Sequence, residues 1–321
     1  MVTARLLIAT LVIAAGCGDN DCAAPSCSAA KSWSAAPAVL GGAIQETAVV
    51  ALEGKVYVLG GFNASVEIVD KVRVFDTATY TWSDGADLPR PIHHANAAVV
   101  GETIYVLGAL QGPSFTAIGD VVAWNPKTDA GWTTKTSMPA GSQRGSAVVG
   151  AIGDIIYVTG GFRDGSVATL LSYSTTSDTW DADLPPLPQP LDHGCGGVVG
   201  GKLYALGGRY MGNTPLVFEY TPGGAWVQKA SMPTARSGIA CGICDDQIIV
   251  AGGELNPATA SSVFAEVEAY TVSTDTWTAL PSMTTPRHGV GGAVVDGAFY
   301  VPGGATKTGF DAVDTHEVLQ P

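Results

Sequence analysis

Histidine and arginine side chains recur along the chain at positions where they could form a binding site. Imidazole and guanidinium groups suit a hydroxyl-rich or anionic ligand, and the planar fork of arginine matches a carboxylate. Gathered in one place, these residues would make a pocket for an anionic or hydroxyl-rich small molecule, or for an acidic loop of a protein. The candidates are His94, His193, His288, Arg144, Arg236 and Arg287.

Two or three of the histidines could instead bind a metal ion. His94 and His193 occupy equivalent positions in two repeats, as do His93 and His288. Imidazoles that converge hold zinc or copper. Nothing in the spacing enforces convergence, and histidines that are solvated or hydrogen-bonded are more common. We therefore expect neither a metal ion nor another cofactor.

The elements that must position these side chains are set by a repeat of about fifty residues. A short apolar run ending in glycine recurs six times, and its first glycines are residues 60, 108, 160, 207, 252 and 303. A tryptophan precedes each of these glycines by 26–28 residues. The tryptophans are Trp33, Trp82, Trp132, Trp180, Trp226 and Trp277. Such self-similarity indicates a repeat architecture.

An aromatic residue also stands before the tryptophan with six residues between them, as in Phe75 and Trp82 or Tyr270 and Trp277. A glycine pair, an aromatic residue and a tryptophan at these spacings resemble the kelch repeat. The resemblance covers residues 31–321 and implies a β-propeller. It also implies that an arginine shortly after a proline can have a structural role, in which it ties neighbouring blades or caps carbonyl groups.

Each repeat divides into four short strands, which favours one antiparallel four-stranded blade per repeat. In the third repeat the predicted strands are 145–150, 155–160, 170–174 and 180–184. The last repeat lacks its tryptophan strand, whereas the strand around Trp33 has no preceding partners. That N-terminal strand should complete the C-terminal blade and remove two exposed edges. We expect an all-β, six-bladed propeller.

Most of the candidate side chains should lie on one face. In a four-stranded meander, the turn after the second strand and the crossover to the next repeat share a face. The crossovers deliver Gln45, Glu46, His93, His94, Arg144, Asp192, His193, Arg236, Arg287 and His288. The turns add Asn63, Phe115, Arg163, Asp164, Arg209, Tyr210, Glu254, Asn256 and Lys307. The pattern predicts a ring of cations and imidazoles around a channel mouth.

No catalytic motif is recognisable in the sequence. The chain lacks residues matching the copper site of galactose oxidase, a kelch enzyme with paired tyrosines and a cross-linked cysteine. The periplasmic N-acetylneuraminate epimerase, another six-bladed propeller, implies an arginine and an acid–base carboxylate, for which Arg236 and Glu254 are candidates. A sugar-modifying enzyme of that type is the alternative to a binding protein, and a purely structural protein of the cell envelope is a third possibility.

The N-terminus predicts export. Arg5 precedes an apolar run at 6–15, which is too short to span a bilayer but typical of a signal peptide over residues 1–16. Residues 14–17 resemble the lipobox of bacterial lipoproteins, which implies that Cys17 carries a lipid and favours the outer membrane. Ordinary secretion with a free Cys17 remains the alternative. Residues 17–30 should form a flexible tether in which Cys22 and Cys27 pair.

Three further cysteines stand in the repeats. Cys241 and Cys244 lie three apart on a predicted inner strand, so their side chains face opposite sides and should not bond each other. We interpret Cys195, Cys241 and Cys244 as small buried apolar residues. A bridge between Cys195 and Cys241 on neighbouring blades is an open alternative.

The composition narrows the class of function. The net charge is −13, which would repel a phosphate backbone and excludes nucleic acid as a partner. Apolar residues make up 46% of the chain, enough for a large core. We therefore expect a monomeric, exported binding protein that recognises a protein or carbohydrate ligand at the channel mouth.

Overall fold

Short β-branched and aromatic runs, separated by glycine and proline, fold into strands. The computed structural model describes residues 32–321, and every regular element in that range is a β-strand. The first thirteen are β1 Ser32–Ala35, β2 Ile44–Gln45, β3 Ala48–Leu52, β4 Lys55–Leu59, β5 Phe62–Asn63, β6 Val72–Asp76, β7 Thr81–Asp84, β8 Ala97–Val100, β9 Thr103–Gln111, β10 Thr116–Trp124, β11 Thr133–Lys135, β12 Val148–Ile152 and β13 Ile155–Thr159. The others are β14 Leu170–Ser174, β15 Thr179–Leu184, β16 Cys195–Val199, β17 Lys202–Leu206, β18 Val217–Tyr220, β19 Trp226–Gln228, β20 Ala240–Cys244, β21 Gln247–Ala251, β22 Val267–Thr271, β23 Thr276–Leu280, β24 Ala293–Val295, β25 Ala298–Pro302 and β26 His316–Gln320.

The strands form six four-stranded antiparallel sheets, one per repeat, and the two short strands β2 and β5 pair separately. From the axis outward, the blades are β3-β4-β6-β7, β8-β9-β10-β11, β12-β13-β14-β15, β16-β17-β18-β19, β20-β21-β22-β23 and β24-β25-β26-β1. They are called blades one to six below. The predicted all-β, six-bladed propeller is confirmed.

The ring closes as the sequence predicts. β1 pairs with β26, so that Trp33 lies opposite Leu319 and the N-terminal strand becomes the outer strand of blade six. The C-terminal blade would otherwise expose the edge of β26. Closure thus removes a free edge that could pair with another chain.

The core lies between the blades. Tyr57 and Val72 of blade one, for example, pack in one cluster with Ile104, Val122 and Trp124 of blade two. Burying each such side chain contributes about 1.5–3 kcal/mol. The glycine pairs permit this close approach, because a Cβ on Gly60 would lie 2.5 Å from the carbonyl oxygen of Ile92 in the crossover to blade two.

Each repeat tryptophan ties its blade to the preceding one. All six donate the indole N–H to a backbone carbonyl oxygen of that neighbour, at 2.8–2.9 Å. The pairs are Trp33 with Pro281, Trp82 with Pro37, Trp132 with Ala86, Trp180 with Thr136, Trp226 with Pro185 and Trp277 with Ala230. The contact of each tryptophan with the preceding blade therefore includes a specific hydrogen bond.

Cys195 and Cys241 form a disulfide between the inner strands of blades four and five, with their Cα atoms 5.7 Å apart. This corrects the interpretation of both residues as free buried thiols and selects the alternative. The predicted signal peptide (1–16) and tether (17–30), with Cys17, Cys22 and Cys27, lie outside the described residues. Within residues 32–321, no helix is long and apolar enough to span a membrane.

Candidate functional site

Six residues, one from each crossover, surround the channel axis and form what we call the mouth ring. They are Glu46, His94, Ser146, His193, Gly238 and Gly289. All six have left-handed backbone, with φ between 51° and 65°. That conformation costs a non-glycine residue about 1–2 kcal/mol. Four such residues in one ring mark a place where the fold stores strain, as functional sites often do.

The mouth ring is held by its own backbone. Each member donates its N–H to the carbonyl oxygen of the member in the preceding blade, and Glu46 donates to Gly289 to close the circle. The six distances range from 2.7 to 3.2 Å. Because every amide is bonded to the neighbouring blade, the side chains of the ring project from a rigid frame.

Functional side chains occupy one part of the ring and glycines another. Glu46, His94 and His193 line a cavity of about 190 Å³, in which Gly238 and Gly289 leave open space. The Glu46 carboxylate lies over Gly289, where an added Cβ would come within 2.5 Å of Oε1. The side chains of Glu46, His94 and His193 are 12%, 4% and 7% exposed.

A second layer above the ring carries charge. Arg209 donates from Nε to Asp192 Oδ1 at 3.1 Å and from Nη1 to Glu254 Oε1 at 2.5 Å. Its Nη2 lies 3.0 Å from Nε2 of His193. The other ring nitrogen of His193 bonds to Asp192. One guanidinium therefore links two buried carboxylates and an imidazole from blades four and five.

The pKa values follow from burial and these contacts. Burial opposes ionisation of Asp192, but His193 and Arg209 outweigh it and lower the pKa of that carboxyl. Burial and the charges of His94 and Arg209 lower the pKa of His193, and together they outweigh the hydrogen bond and the negative charge of Asp192, which raise it. Burial would raise the pKa of Glu46, yet the neighbouring His94 holds that pKa far below its usual range.

The hydrogen bonds of His93 and His94 leave one hydrogen unaccounted for beside Glu46. His93 Nε2 faces the carbonyl oxygen of Gly112 at 3.2 Å, the two Nδ1 atoms are 2.6 Å apart, and His94 Nε2 lies 3.0 Å from Glu46 Oε2. These three contacts form a chain that begins at the carbonyl oxygen of Gly112 and ends at the carboxylate of Glu46, and both of these groups accept hydrogen bonds. Three such bonds need three hydrogens, whereas two neutral imidazoles carry only two. The contact between His94 and Glu46 must therefore hold either an extra proton or a metal ion.

His288 adds a nitrogen that has no hydrogen-bond partner among residues 32–321. Its Nε2 lies 2.7 Å from the carbonyl oxygen of Lys307, so this nitrogen carries the hydrogen. Its Nδ1 is buried without a hydrogen bond, 3.5 Å from Glu254 Oε2 and 3.8 Å from Glu46 Oε1. This nitrogen faces the same carboxylates as the rest of the site.

The structure brings the three predicted histidines, His94, His193 and His288, together at the mouth, but not the arginines. Arg144, Arg236 and Arg287 are 1%, 0% and 0% exposed and point into the blades. There they donate to carbonyl oxygens that include those of Gly160, Gly252 and Gly303, the first glycines of the repeats. Arg236 and Arg287 also pair with Glu268 and Glu317. The expected mouth position of the arginines is corrected.

Comparison of the six repeats shows which kinds of side chain occupy the position of these arginines. The same place, two residues before the mouth ring, holds Ile44, Ile92 and Leu191 in blades one, two and four. Two of these, Ile92 and Leu191, belong to apolar clusters between blades. A position that accepts leucine or isoleucine in sister blades is a packing position rather than a ligand contact.

The charge of the mouth also differs from the expectation. In the contacts of the described residues there, Glu46, Asp192 and Glu254 supply three carboxylates and Arg209 supplies one guanidinium. Arg236 cannot act together with Glu254 as imagined for an epimerase, because Arg236 pairs with Glu268 at 2.7 Å while Glu254 bonds to Arg209. The site therefore favours a cation over an anion.

The sequence pattern placed Glu46, Arg209 and Glu254 on the correct face, but it selected only Glu254 as a candidate, and that as the acid–base group of an epimerase. The repeat does contain the signal for Glu46, which is the first-blade equivalent of His94 and His193. Aligning the six crossovers at the position of His94 and His193 would have revealed the mouth ring. The donor atoms of Glu46, His94 and His193 all lie within 4.8 Å of one another.

Family comparison agrees with the repeat and the blades. The model of the KLHDC2/KLHL20/DRC7 Kelch-repeats domain matches residues 27–208, and that of the Kelch motif matches residues 235–284. The chain belongs to the kelch-repeat family. The resemblance predicted from the glycine pairs and tryptophans is thus confirmed.

Relatives of this kelch domain include Kelch-like protein terF of Aspergillus terreus, 35% identical over 300 residues, which are 86% of this chain and 64% of that protein. Human Kelch-like protein 23 is 28% identical over 221 residues, 67% of this chain and 38% of that protein. The chain thus spans less than two thirds of these relatives' lengths. A solved structure titled "Structure of YjhT" superposes with a TM-score of 0.73 at 18% identity, covering 89% of this chain and 97% of that one. The last comparison supports the fold alone.

Proposed function

We propose that this kelch domain is an exported protein-binding module whose partner docks on the mouth face, meaning the face that carries the crossovers and the loops between second and third strands. The proposal is supported by the exposed large apolar side chains, most of which lie on this face. Five of the eight in the described residues stand in those loops. They are Val66, Tyr210, Met211, Leu255 and Phe310.

Met211 is 94% exposed, and Tyr210 beside it is 46% exposed. Val66, Met211 and Leu255 also have left-handed backbone, which is uncommon for a bulky non-glycine residue. Neither burial nor backbone preference accounts for apolar side chains at these loop tips. Clustered exposed apolar residues around a polar centre are typical of protein interfaces.

A protein suits this face better than an anionic or sugar ligand. The expected cationic pocket is absent, since Arg144, Arg236 and Arg287 are buried within blades. A partner could cover the apolar loop tips while placing a polar or cationic group over the acidic mouth. The family supports this role at the level of fold, which many interaction proteins share.

Export remains part of the proposal. The sequence predicts a signal peptide and a lipid on Cys17, and the Cys195–Cys241 disulfide is of the kind that persists in oxidising compartments. We propose that a lipid at Cys17 anchors the domain in the cell envelope, where the mouth face meets its partner.

Site-specific photo-crosslinking in cells tests the docking face. A photoreactive residue at Met211 or Phe310 should give a discrete adduct with one partner. The same residue at two exposed control positions away from the mouth face should give none. These are Tyr80, in the turn between the third and fourth strands of blade one, and Val227, on an outer strand. The partner, once purified, should bind the triple variant Tyr210→Ser, Met211→Ser, Leu255→Ser at least about tenfold more weakly. Equal adducts at all positions, or unchanged affinity of the triple variant, would contradict the proposal.

A further inference from the structure

The polar cavity beneath the docking face has a use that partner binding does not require. All five histidines of the chain are buried, and four of them, His93, His94, His193 and His288, meet at the mouth. A surface contact for a protein would not need buried imidazoles whose ring nitrogens point at one another and at carboxylates.

We propose that Glu46, His94 and His193 bind one divalent first-row transition-metal ion at the channel mouth. Their donor atoms all lie within 4.8 Å of one another. Two imidazoles and one carboxylate form the ligand set of many zinc and non-haem iron sites, which keep further positions open. The inference concerns the cavity and is independent of the loop tips that carry the proposed docking.

The frame suits a metal site because the ligands stand on a rigid ring. In a tetrahedral site with bonds of about 2.1 Å, donors lie about 3.4 Å apart. The three donor atoms lie within 4.8 Å of one another, so the widest separation must close by at most about 1.4 Å. Rotation of the side chains supplies that movement, since the cavity of about 190 Å³ leaves them room. Each backbone position stays fixed by its hydrogen bond to the next blade.

The contacts behind the ligands match those of metal-binding histidines. A metal-bound imidazole almost always donates its other N–H to a carboxylate or another acceptor. Nδ1 of His193 bonds to Asp192, and Nδ1 of His94 bonds to Nδ1 of His93, whose Nε2 reaches the carbonyl oxygen of Gly112. Both Nε2 atoms are thereby directed at the cavity.

The donor count also calls for a cation. The contact of 3.0 Å between His94 Nε2 and Glu46 Oε2 holds either one proton more than neutral His93 and His94 supply or a metal ion. A metal ion bonded to both atoms satisfies the contact. Among the described residues, Nδ1 of His288 has no hydrogen-bond partner, and it lies 3.8 Å from Glu46 Oε1 on the blade-six side of the cavity.

Arg209 competes with the metal. Its Nη2 lies 3.0 Å from Nε2 of His193, the atom that the metal would use. Metal binding must therefore displace this one hydrogen bond, while Asp192 and Glu254 keep the guanidinium nearby. Removing Arg209 should strengthen metal binding, whereas removing a ligand should weaken it. The two kinds of variant should therefore change the metal affinity in opposite directions.

Calorimetric titration with Zn²⁺ and visible spectroscopy with Co²⁺ test the site on the full chain after treatment with a chelator. We expect one ion per chain and d–d absorption typical of a nitrogen and oxygen ligand set. Glu46→Gln and His193→Asn should each weaken binding more than about 100-fold, because even outer contacts to a metal ligand cost about 10–100-fold. Arg209→Met should strengthen it about tenfold, and the control His316→Asn, a buried histidine outside the site, should leave it unchanged.

Near-UV circular dichroism of each variant establishes that it is folded. If Glu46→Gln does not fold, His193→Asn and Arg209→Met still test the proposal, because they should change the metal affinity in opposite directions. The proposal is overturned if the wild type binds no stoichiometric ion, if a folded ligand variant binds as well as wild type, or if Arg209→Met weakens binding as the ligand variants do.

Discussion

Trp33 donates its indole N–H to the carbonyl oxygen of Pro281, 248 residues later in the chain, at 2.8 Å. The bond joins the outer strand of blade six to the end of blade five. It repeats, across the closure of the ring, the contact that five other tryptophans make between consecutive blades. The junction of the two termini is therefore built like every other junction.

Closure by β1 should be essential to stability. A chain beginning at residue 37 lacks the ladder between Ser32–Ala35 and β26 and exposes that edge, so we expect a clearly lower melting temperature or aggregation. A chain beginning at residue 31 keeps the whole of β1 and is the matched control. Equal thermal unfolding of the two chains, measured by circular dichroism, would show that the ring closes without β1.

Arg236 and Arg287 should contribute to stability as ion pairs rather than to binding. Replacing Arg287 with Leu leaves Glu317, which is 5% exposed, without its 2.8 Å partner and should lower the free energy of unfolding by about 3–5 kcal/mol. In blade four, Leu191 and Phe218 occupy the two equivalent places. The double variant Arg287→Leu, Glu317→Phe should therefore recover most of the loss.

Denaturant unfolding measures both variants. A double variant as unstable as the single one would mean that the hydrogen bonds of Arg287 to the carbonyl oxygens of Val301 and Thr315, not its pairing with Glu317, dominate. Partner binding per folded molecule should be unchanged in either case.

The sequence was sufficient for the blades but not for the site. Strand periodicity and the spacing of glycine and tryptophan specify the number of blades and their closure, because each signal recurs six times. A crossover has no such period. Arg236 and Gly238 stand two residues apart, yet one is inside a blade and the other on the channel axis. Which residue of a crossover reaches the axis depends on the left-handed backbone of the mouth ring, which strand periodicity does not encode.

The protein should lose stability as the pH falls from about 6.5 to 4, partly because of His316. Burial lowers the pKa of His316 from 6.5 to about 4, against the hydrogen bond to the carbonyl oxygen of Pro37. The unfolded chain then binds a proton in this pH range that the folded protein does not, so stability rises with pH up to about 6.5 and falls below it. Such a shift corresponds to about 3 kcal/mol across the window.

The variant His316→Asn keeps a donor for Pro37 but cannot titrate. It should be somewhat less stable at pH 7 and should show a flatter decline of the unfolding free energy between pH 6.5 and 4. Since His93 has a pKa lowered to about 4 as well, part of the slope should remain. An unchanged slope in His316→Asn would contradict this account.

The Cys195–Cys241 disulfide should stabilise the junction of blades four and five. It closes a loop with a sequence separation of 46, for which removal typically costs about 2–4 kcal/mol. The double variant Cys195→Ala, Cys241→Ala should unfold at a lower temperature than wild type under oxidising conditions. The difference should shrink in a strong reductant, because wild type then loses the same bond. A difference that persists in reductant would assign the effect to packing instead.

The proposed anchor predicts where the protein is found. A pair of acyl chains contributes about 0.8 kcal/mol per buried methylene, so a lipid at Cys17 should hold the mature protein in the membrane fraction through washes with high salt. Cys17→Ser should release the protein or leave its signal peptide uncleaved, as mass spectrometry of the N-terminus would show. Cys22→Ser is the matched control, because it changes a cysteine of the predicted tether without removing the lipid site, and it should remain with the membrane. Wild-type protein that is wholly soluble, or Cys17→Ser that fractionates with the membrane as fully processed protein, would contradict the anchor.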